Sequence, residues 1–325
     1  MGLEGDKGRE AGSSALLPYT KESLEHARRE DAPFAMVVLD HEVTGRGHRI
    51  TVPRETLVAT SSAGRKEIEH LPEGKLWMAG GLLLILKCKD VSVALVRQRD
   101  SGAPSYPEHW TLGSGMPSPD DVPSNPGRTA VREGMEEFII ATADGVIQPV
   151  FNVPELDAIA GHAVSESDAI RTDPDFAHLP EVLKTDWKVH TPASFFRAPT
   201  EEEVEVVYED GSIPATTQSG VLAFDPKTSG VDFLKIVEVD MSQYALNEVS
   251  IFDGETHNGK SLNGADGCLK VTERVDGNGQ RQLRLTNEFV AVYKDGVQQD
   301  LAPYQCEKMT VPLATMFKAL NGEGR

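Results

Sequence analysis

AVREGMEEFII, residues 130–140, places three glutamates and an arginine inside an otherwise apolar segment. In a helix, Glu133, Glu136 and Glu137 lie three or four positions apart and share one face. Like charges at these spacings cost about 0.2–0.5 kcal/mol per pair. The sequence therefore concentrates repulsion at one position, and either solvent or a cation has to relieve it.

The residues around this stretch predict an amphipathic helix. Asn125 suits the N-cap and Pro126 suits the first helical position. The face that packs on the core is predicted by apolar residues at helical spacing: Val131, Met135 and Phe138 or Ile139. Arg132 stands four residues before Glu136, close enough to pair with it. The pattern predicts that the carboxylates cluster on the exposed side of the helix.

Two interpretations of this cluster stay open from the residues alone. Glutamate is a good helix former, and the acidic run TEEEVEVV at 200–207 occurs without apparent chemistry, which favours a solvated helix face. Alternatively, clustered carboxylates bind a hard divalent cation, most naturally Mg²⁺, whose charge removes the repulsion.

The composition limits the classes of partner that the protein is expected to bind. The 325 residues carry a net charge of −19, with 51 acidic against 32 basic residues, and such a field repels nucleic acid. Three widely spaced cysteines, Cys88, Cys268 and Cys306, predict reduced thiols rather than a disulfide framework. The longest apolar run, residues 76–86, is shorter than the roughly 20 residues that span a bilayer. Because the N-terminus also lacks the order of a signal peptide, we expect a cytoplasmic protein with no membrane partner.

The order of patterns along the chain predicts an α+β fold, with helices packed on a mixed sheet. Residues 1–30 are predicted to form a flexible tail, and residues 31–74 a small N-terminal β element with a hairpin. Residues 75–325 are predicted to form the main domain, in which glycines and prolines disfavour regular structure at 109–121. The segment from 141 to about 200 has only short apolar runs and is predicted to be irregular, within a large insertion at about 141–230. Later elements are predicted as strands at 203–210, 220–225 and 231–240, a hairpin at 280–296 and a closing helix at 311–322.

Arg132-Glu133, two further residues and Glu136-Glu137 resemble the Arg-Glu-x-x-Glu-Glu core of the Nudix box. The surroundings are similar as well. A strand that ends in basic residues, VALVRQR at 93–99, precedes the tryptophan and glycine-rich loop of WTLGSG at 110–115. The resemblance covers about 65 residues, from 75 to 140.

The box departs from the family pattern in two places. The acid six residues after Gly115 is Asp121 rather than glutamate, and ten residues rather than seven separate it from the arginine. Gly134 replaces the apolar residue after Arg-Glu, and Ile139 replaces the closing glycine. The loop is therefore longer and its junction with the helix is reshaped, whereas the half of the motif that binds metal is kept.

The resemblance implies a Nudix-type α/β/α sandwich and a hydrolase, dependent on Mg²⁺ or alternatively Mn²⁺, that cleaves a diphosphate linkage in a nucleoside diphosphate derivative. It implies that Glu136 and Glu137 are metal ligands and that Glu133 is a third ligand or the base that accepts a proton from water. Arg132 would orient the glutamates through charge-assisted hydrogen bonds. The expected partners are a small phosphorylated substrate and, as is common in the family, a second copy in a homodimer. A Nudix-fold module that binds a nucleotide or regulates without cleaving is the alternative.

More distant residues complete the predicted site. Arg97 and Arg99 end a strand that leads toward the glycine loop and are candidate phosphate contacts, although pairing with acidic neighbours accounts for them equally well. Many Nudix enzymes bring a further glutamate from a loop before the closing helix. The corresponding loop here has Glu307 as its only glutamate, with Asp300 as the substitute. A surface acid beside Lys308 is the alternative interpretation.

Overall fold

The structure of the protein is a computed structural model. It describes residues 16–18, 34–52, 57–59, 76–103, 105–117, 125–166, 188–211, 215–228, 230–254, 256–257, 260–261, 263–294 and 296–322. Most of the tail predicted at residues 1–30 lies outside these ranges, and so does Asp121.

Most of the described chain is β-strand. The helices are α1 (Pro126–Glu137), α2 (Pro154–Glu166) and α3 (Val311–Asn321), with a 3₁₀ turn at Leu246–Glu248. In chain order, the strands are β1 (Leu16–Pro18), β2 (Phe34–Val38), β3 (Asp40–Val43), β4 (Gly47–Val52), β5 (Leu57–Ala59), β6 (Leu76–Cys88), β7 (Ser92–Arg99), β8 (Trp110–Thr111), β9 (Gly113–Gly115), β10 (Phe138–Thr142), β11 (Gly145–Phe151), β12 (Lys188–Phe195), β13 (Glu202–Tyr208), β14 (Thr216–Asp225), β15 (Gly230–Met241), β16 (Ser250–Asp253), β17 (Thr256–His257), β18 (Lys260–Ser261), β19 (Asn263–Val275), β20 (Arg281–Lys294) and β21 (Val297–Gln298).

The sheet is mixed, and β6 lies at its centre. On one side β6 pairs in parallel with β15, which continues antiparallel to β14 and β12. On the other side β6 pairs antiparallel with β7 and β9, and β7 leads on to β19 and β20. The N-terminal strands join the same arrangement, because β2 pairs with β6 and β4 pairs in parallel with β13. The predicted α+β class with a mixed sheet is confirmed.

Helices pack on both faces of this sheet. On one face, alternate residues of β6 such as Leu82 and Leu84 form a buried cluster with Val131 and Met135 of α1. On the other face, the intervening residues such as Leu83 pack with the closing helix α3. This alternation follows from the two-residue period of a strand that is buried on both sides. None of the helices in the described ranges has the length and hydropathy needed to cross a membrane.

Several local predictions from the sequence are confirmed. The N-terminal hairpin is formed by β3 and β4. The segment predicted as a hairpin at 280–296 is instead mostly the single strand β20, which forms a hairpin with the preceding strand β19. The strands predicted at 203–210, 220–225 and 231–240 correspond to β13, β14 and β15. The closing helix ends at Gly322, whose φ of 71° is the left-handed conformation that favours glycine at this position.

Three further local predictions are wrong. Phe138 is not on the helix face, because α1 ends at Glu137 and Phe138 opens β10, which pairs with β16. The described parts of the segment from 141 to about 200 are not irregular, since they contain β11, α2 and β12. The glycine loop at 109–121 contains two short strands, of which β9 pairs with β6. For the strands among these elements, pairing with other strands overrides weak local propensity.

Candidate functional site

The N-terminus of α1 is fixed as the sequence predicts. Asn125 is the N-cap, and its side chain accepts a hydrogen bond from the Arg128 amide at 3.2 Å. Gln218 of β14 donates to the Asn125 side chain at 2.6 Å and accepts from the Gly127 amide at 3.2 Å. These contacts tie the start of the helix to the sheet and set the direction in which its acidic residues point.

Glycines allow α1 to lie very close to the sheet. A Cβ atom at Gly80 of β6 would lie 2.5 Å from the Ala130 backbone nitrogen, and one at Gly134 would lie 2.4 Å from the Leu82 side chain. Gly115 of β9 faces the Glu133 carboxylate, which a Cβ at that position would meet at 2.2–2.7 Å. Because these positions have no side chains, the acidic part of the helix packs directly on β9 (Gly113–Gly115), which we call the glycine strand.

Arg132 joins two of the three glutamates. Its Nη2 donates to Glu133 Oε1 at 2.6 Å, and its Nη1 donates to Glu136 Oε2 at 2.7 Å. Nη2 also donates to the Met116 carbonyl at 2.7 Å, just beyond β9. The guanidinium therefore holds both carboxylates next to the glycine strand through charge-assisted hydrogen bonds.

Arg97 of β7 is the centre of a second charged group. It is 1% exposed, and its Nη2 lies 3.0 Å from Asp253 Oδ1 and 3.4 Å from Asp266 Oδ1. Its Nη1 lies 3.7 Å from Glu137 Oε2, and its Nη2 donates to the Glu137 carbonyl. The guanidinium carbon is 4.7 Å from the centre of the Phe138 ring. Arg97 thus connects the end of α1 to β16 and β19.

The sequence did not predict Asp253 and Asp266. Both acids stand before a glycine, in FDG and GADG, and such a pattern is typical of a turn. In the structure they lie in β16 and β19, and Asp266 is opposite Arg97 in the strand register. Only the pairing of distant strands brings them to the arginine, so no local signal identifies them.

The predicted exposure of the carboxylates is wrong for two of the three. Glu133 is 7% exposed and Glu137 is 6% exposed, whereas Glu136 is half-buried. The reason is that α1 packs on β9 as well as on β6, so the face that carries Glu133 and Glu137 is covered by the glycine strand. Glu137 Oε2 accepts a hydrogen bond from the Ser114 amide of β9 at 3.1 Å.

The remaining predicted residues lie apart from this group. Arg99 is half-buried at the end of β7, where its amide donates to the His109 carbonyl at 2.9 Å. Glu307 is exposed and lines a shallow cavity of about 310 Å³ together with Tyr304 and Phe289. The Asp300 carboxylate accepts from the Ala302 amide at 3.1 Å. Within the described ranges, no hydrogen bond or ion pair joins Glu307 or Asp300 to α1.

The donor set fits a hard cation in its chemistry. Five carboxylates, from Glu133, Glu136, Glu137, Asp253 and Asp266, are contacted by the two guanidinium groups of Arg97 and Arg132. Oxygen donors of this kind suit Mg²⁺ and Mn²⁺ rather than soft metals. Among the described residues, no three His, Cys, Asp or Glu side chains are grouped as a metal site. The carboxylates are instead held by arginines and backbone amides.

Two solved structures have some similarity to this chain. A NUDIX hydrolase from Alicyclobacillus acidocaldarius is 12% identical, with 59% of this chain and 78% of that chain covered at a TM-score of 0.28. A MutT/nudix family protein from Enterococcus faecalis is 13% identical, with 79% and 80% covered at a TM-score of 0.21. No protein-family model and no curated protein matches the chain. Because both TM-scores are low, function is inferred from the site residues.

Proposed function

We infer that the protein is a hydrolase of the Nudix kind that cleaves a diphosphate linkage, with Mg²⁺ or Mn²⁺ as the cation. The observation that carries the proposal is the pairing of Arg132 with both Glu133 and Glu136 against the glycine strand β9. A solvated helix face has no need of a partly buried arginine that fixes two carboxylates and a backbone carbonyl. A site that handles phosphate oxygens through a cation needs its carboxylates held in this way.

Arg132 and the three glutamates of α1 each have a proposed role. Glu136 and Glu137 would hold the cation, and Glu133 would be a third ligand or the base that takes a proton from water. When bound, a divalent cation supplies charge neutralisation of phosphate oxygens and lowers the pKa of water. Arg132 would orient Glu133 and Glu136 through the hydrogen bonds described above. The proposed substrate is a small phosphorylated molecule, most naturally a nucleoside diphosphate derivative.

The proposed substrate contacts differ in how accessible they are. Arg99 ends β7 and is half-buried, so its side chain is a suitable candidate for contact with a phosphate. Arg97 is fully buried among three carboxylates, and its burial argues for positioning Glu137 rather than for contact with substrate. Glu307 stays a proposed fourth ligand from the loop before α3.

A second function is a Nudix-fold module that binds a nucleotide without cleaving it. The observation that favours it is the burial of Glu137, whose carboxylate accepts from the Ser114 amide and lies near Arg97. A carboxylate committed to these partners is less available to a cation. Both functions require the protein to bind the phosphorylated molecule. Only the hydrolase also cleaves it.

The test is turnover with a panel of substrates. The protein is incubated with Mg²⁺ and nucleotide sugars, dinucleotides, nucleoside triphosphates and non-nucleotide diphosphates, and phosphorus products are followed. We expect hydrolysis that requires the cation and falls by at least about 100-fold in E133Q and in E136Q. E209Q, at an exposed turn away from the site, is the matched control and should keep full activity. Binding without turnover would favour the second function, and full activity of E133Q and E136Q would overturn the first.

A further inference from the structure

Two histidines and a glutamate form a hydrogen-bonded chain where the N-terminal strands meet the main sheet. His41 lies in β3 and His48 in β4, and His41 Nε2 is 2.8 Å from His48 Nδ1. The other nitrogen of the second ring, His48 Nε2, is 2.7 Å from Glu202 Oε2 of β13. β4 pairs in parallel with β13, with His48 opposite Val204, so Glu202 lies diagonally from His48 on the same face. Strand pairing therefore brings the three side chains together.

The two imidazole rings meet through their nitrogen atoms. Their planes differ by 20° and their centres are 5.0 Å apart. This separation exceeds the 2.8 Å between the nitrogens by about the combined radii of two imidazole rings, so both nitrogens lie close to the line that joins the ring centres. Each of the two nitrogens is therefore directed at the other, into the same gap between the rings.

The histidine pair lies at the rim of a buried core. Ile50, which follows His48 on the same face of β4, is fully buried in a cluster with Val204. The side chain of His48 is 14% exposed, and His41 is half-buried. The Phe224 ring packs beside both imidazoles, with ring centres 4.8 Å from His41 and 6.2 Å from His48. Apolar groups therefore cover the pair on the core side, while part of each ring still contacts solvent.

The carboxylate determines which nitrogen of His48 has a lone pair. An ionised Glu202 offers only acceptor oxygens, so His48 Nε2 carries the proton and donates it. A neutral His48 then has its lone pair at Nδ1, the atom that faces His41. Burial, and secondly His48, lower the pKa of His41, whereas Asp40 acts in the opposite direction. The His41 ring is therefore neutral at neutral pH and has a lone pair of its own.

We propose that His41 and His48 form a binding site for a divalent transition cation of the Zn²⁺ or Cu²⁺ class, with Glu202 orienting the His48 ring. Imidazole nitrogens suit these cations, whereas Mg²⁺ prefers oxygen donors, so the site differs in chemistry from the carboxylates of α1. A carboxylate that accepts from the far nitrogen of a ligating histidine is the usual partner of such a ligand. Zn²⁺ bound tetrahedrally at about 2.0–2.1 Å from each nitrogen would set the nitrogens about 3.3–3.4 Å apart. The rings would therefore separate by about half an ångström.

Binding would replace the hydrogen bond between the rings by two metal–nitrogen bonds. The proton on His41 Nε2 moves to Nδ1 of the same ring, so a neutral pair binds the cation without releasing a proton. In the part of the chain that the structure describes, no three His, Cys, Asp or Glu side chains are grouped around a cation, so water completes the coordination. The cation would fasten β3 to β4 and, through Glu202, to β13. Binding should therefore stabilise the folded protein.

Calorimetric titration of the intact protein with Zn²⁺ tests the site, with excess Mg²⁺ present to occupy oxygen donors. We expect the wild type to bind one Zn²⁺ that the double variant H41Q/H48Q does not bind. Each single variant, H41Q and H48Q, should fall close to the double variant. H190Q changes an exposed histidine on β12 and is the matched control, which should bind as the wild type does. Wild-type Zn²⁺ affinity in H41Q or in H48Q would overturn the proposal.

Glu202 provides a test that does not depend on the folding of the histidine variants. Its side chain is 55% exposed, so E202Q should fold, and it should bind Zn²⁺ about 10–100-fold more weakly than the wild type. E203Q is the control, because Glu203 is also exposed and alternates to the other face of β13. With Cu²⁺ in place of Zn²⁺, electron paramagnetic resonance of the wild type should show coupling to two imidazole nitrogens. A Cu²⁺ spectrum without imidazole coupling, or equal Zn²⁺ affinity in E202Q and E203Q, would contradict the proposed arrangement.

Discussion

Arg97 is a single residue for which burial determines how much an ion pair contributes to the stability of the protein. It is the guanidinium contacted by three buried carboxylates, and removing it leaves those charges in a medium that solvates them poorly. We expect R97M to lower the free energy of unfolding by about 3–5 kcal/mol. R49M is the matched control, because Arg49 pairs with Glu205 at 2.6 Å between strands while both side chains are substantially exposed.

The control should lose much less stability than R97M, because ion pairs between exposed side chains contribute little. Urea unfolding of both variants measures the difference. Similar losses in R97M and R49M would mean that the three carboxylates around Arg97 find another cation or stay neutral, and the positioning role assigned to Arg97 would then be wrong.

Glu307 is the residue whose proposed role depends most on the resemblance. It is exposed, and its neighbours Tyr304 and Phe289 line the same cavity. If it holds the cation or positions water, E307Q should lower the maximal rate by at least about 100-fold and shift the Mg²⁺ dependence. E288Q, which changes another acid at the same cavity, is the control. An unchanged rate and an unchanged Mg²⁺ dependence in E307Q would remove Glu307 from the site.

At the scale of the element, α1 is shaped by close approach rather than by helix propensity. Gly134 lies in its middle, where alanine would normally be favoured by about 1 kcal/mol. A Cβ there would meet three atoms of the Leu82 side chain at 2.4–3.0 Å, inside a core buried on both sides. We therefore expect G134A to destabilise the protein by about 1–3 kcal/mol despite its better propensity.

A glycine in open space provides the control for this substitution. Gly277 lies in the turn between β19 and β20, and a Cβ there would meet nothing within 4 Å. Thermal unfolding of G277A should stay close to that of the wild type, whereas G134A should unfold at a lower temperature. If G134A is instead more stable than the wild type, α1 can move away from β6. The position of Glu133 against β9 would then not be fixed by the packing of the helix.

The same helix shows what the sequence can and cannot predict. The cap at Asn125, the proline at the first turn and the pairing of Arg132 with Glu136 are local features, and the sequence predicts them. The end of the helix at Glu137 is not local, because Phe138 fits the helical period and becomes a strand only by pairing with β16. The burial of Glu133 and Glu137 depends likewise on β9, which has almost no strand propensity of its own.

At the scale of the whole molecule, the two faces of the sheet carry two separate groups of acids. The face that packs on α1 holds the carboxylates contacted by Arg97 and Arg132, each with a cationic partner. The face that packs on α3 holds Asp232, whose charged neighbour is the like-charged Asp225. The loop at 105–109 connects β7 to β8 and touches the second group through Tyr106.

Global stability should record the titration of Asp232. Its pKa is raised in the folded state, by burial and then by Asp225, from 3.8 to about 7, so the folded protein binds a proton that the unfolded chain has released. The stability that this proton contributes is fully present below about pH 4, is lost as pH rises toward about 7, and changes little above that value. The slope is at most about 1.4 kcal/mol per pH unit. D232N cannot ionise at this position, so its advantage over the wild type in urea unfolding should grow between about pH 5 and about pH 7 and then level off. Stability curves of the two proteins that run parallel across this range would mean that Asp232 is already hydrated and charged in the native state.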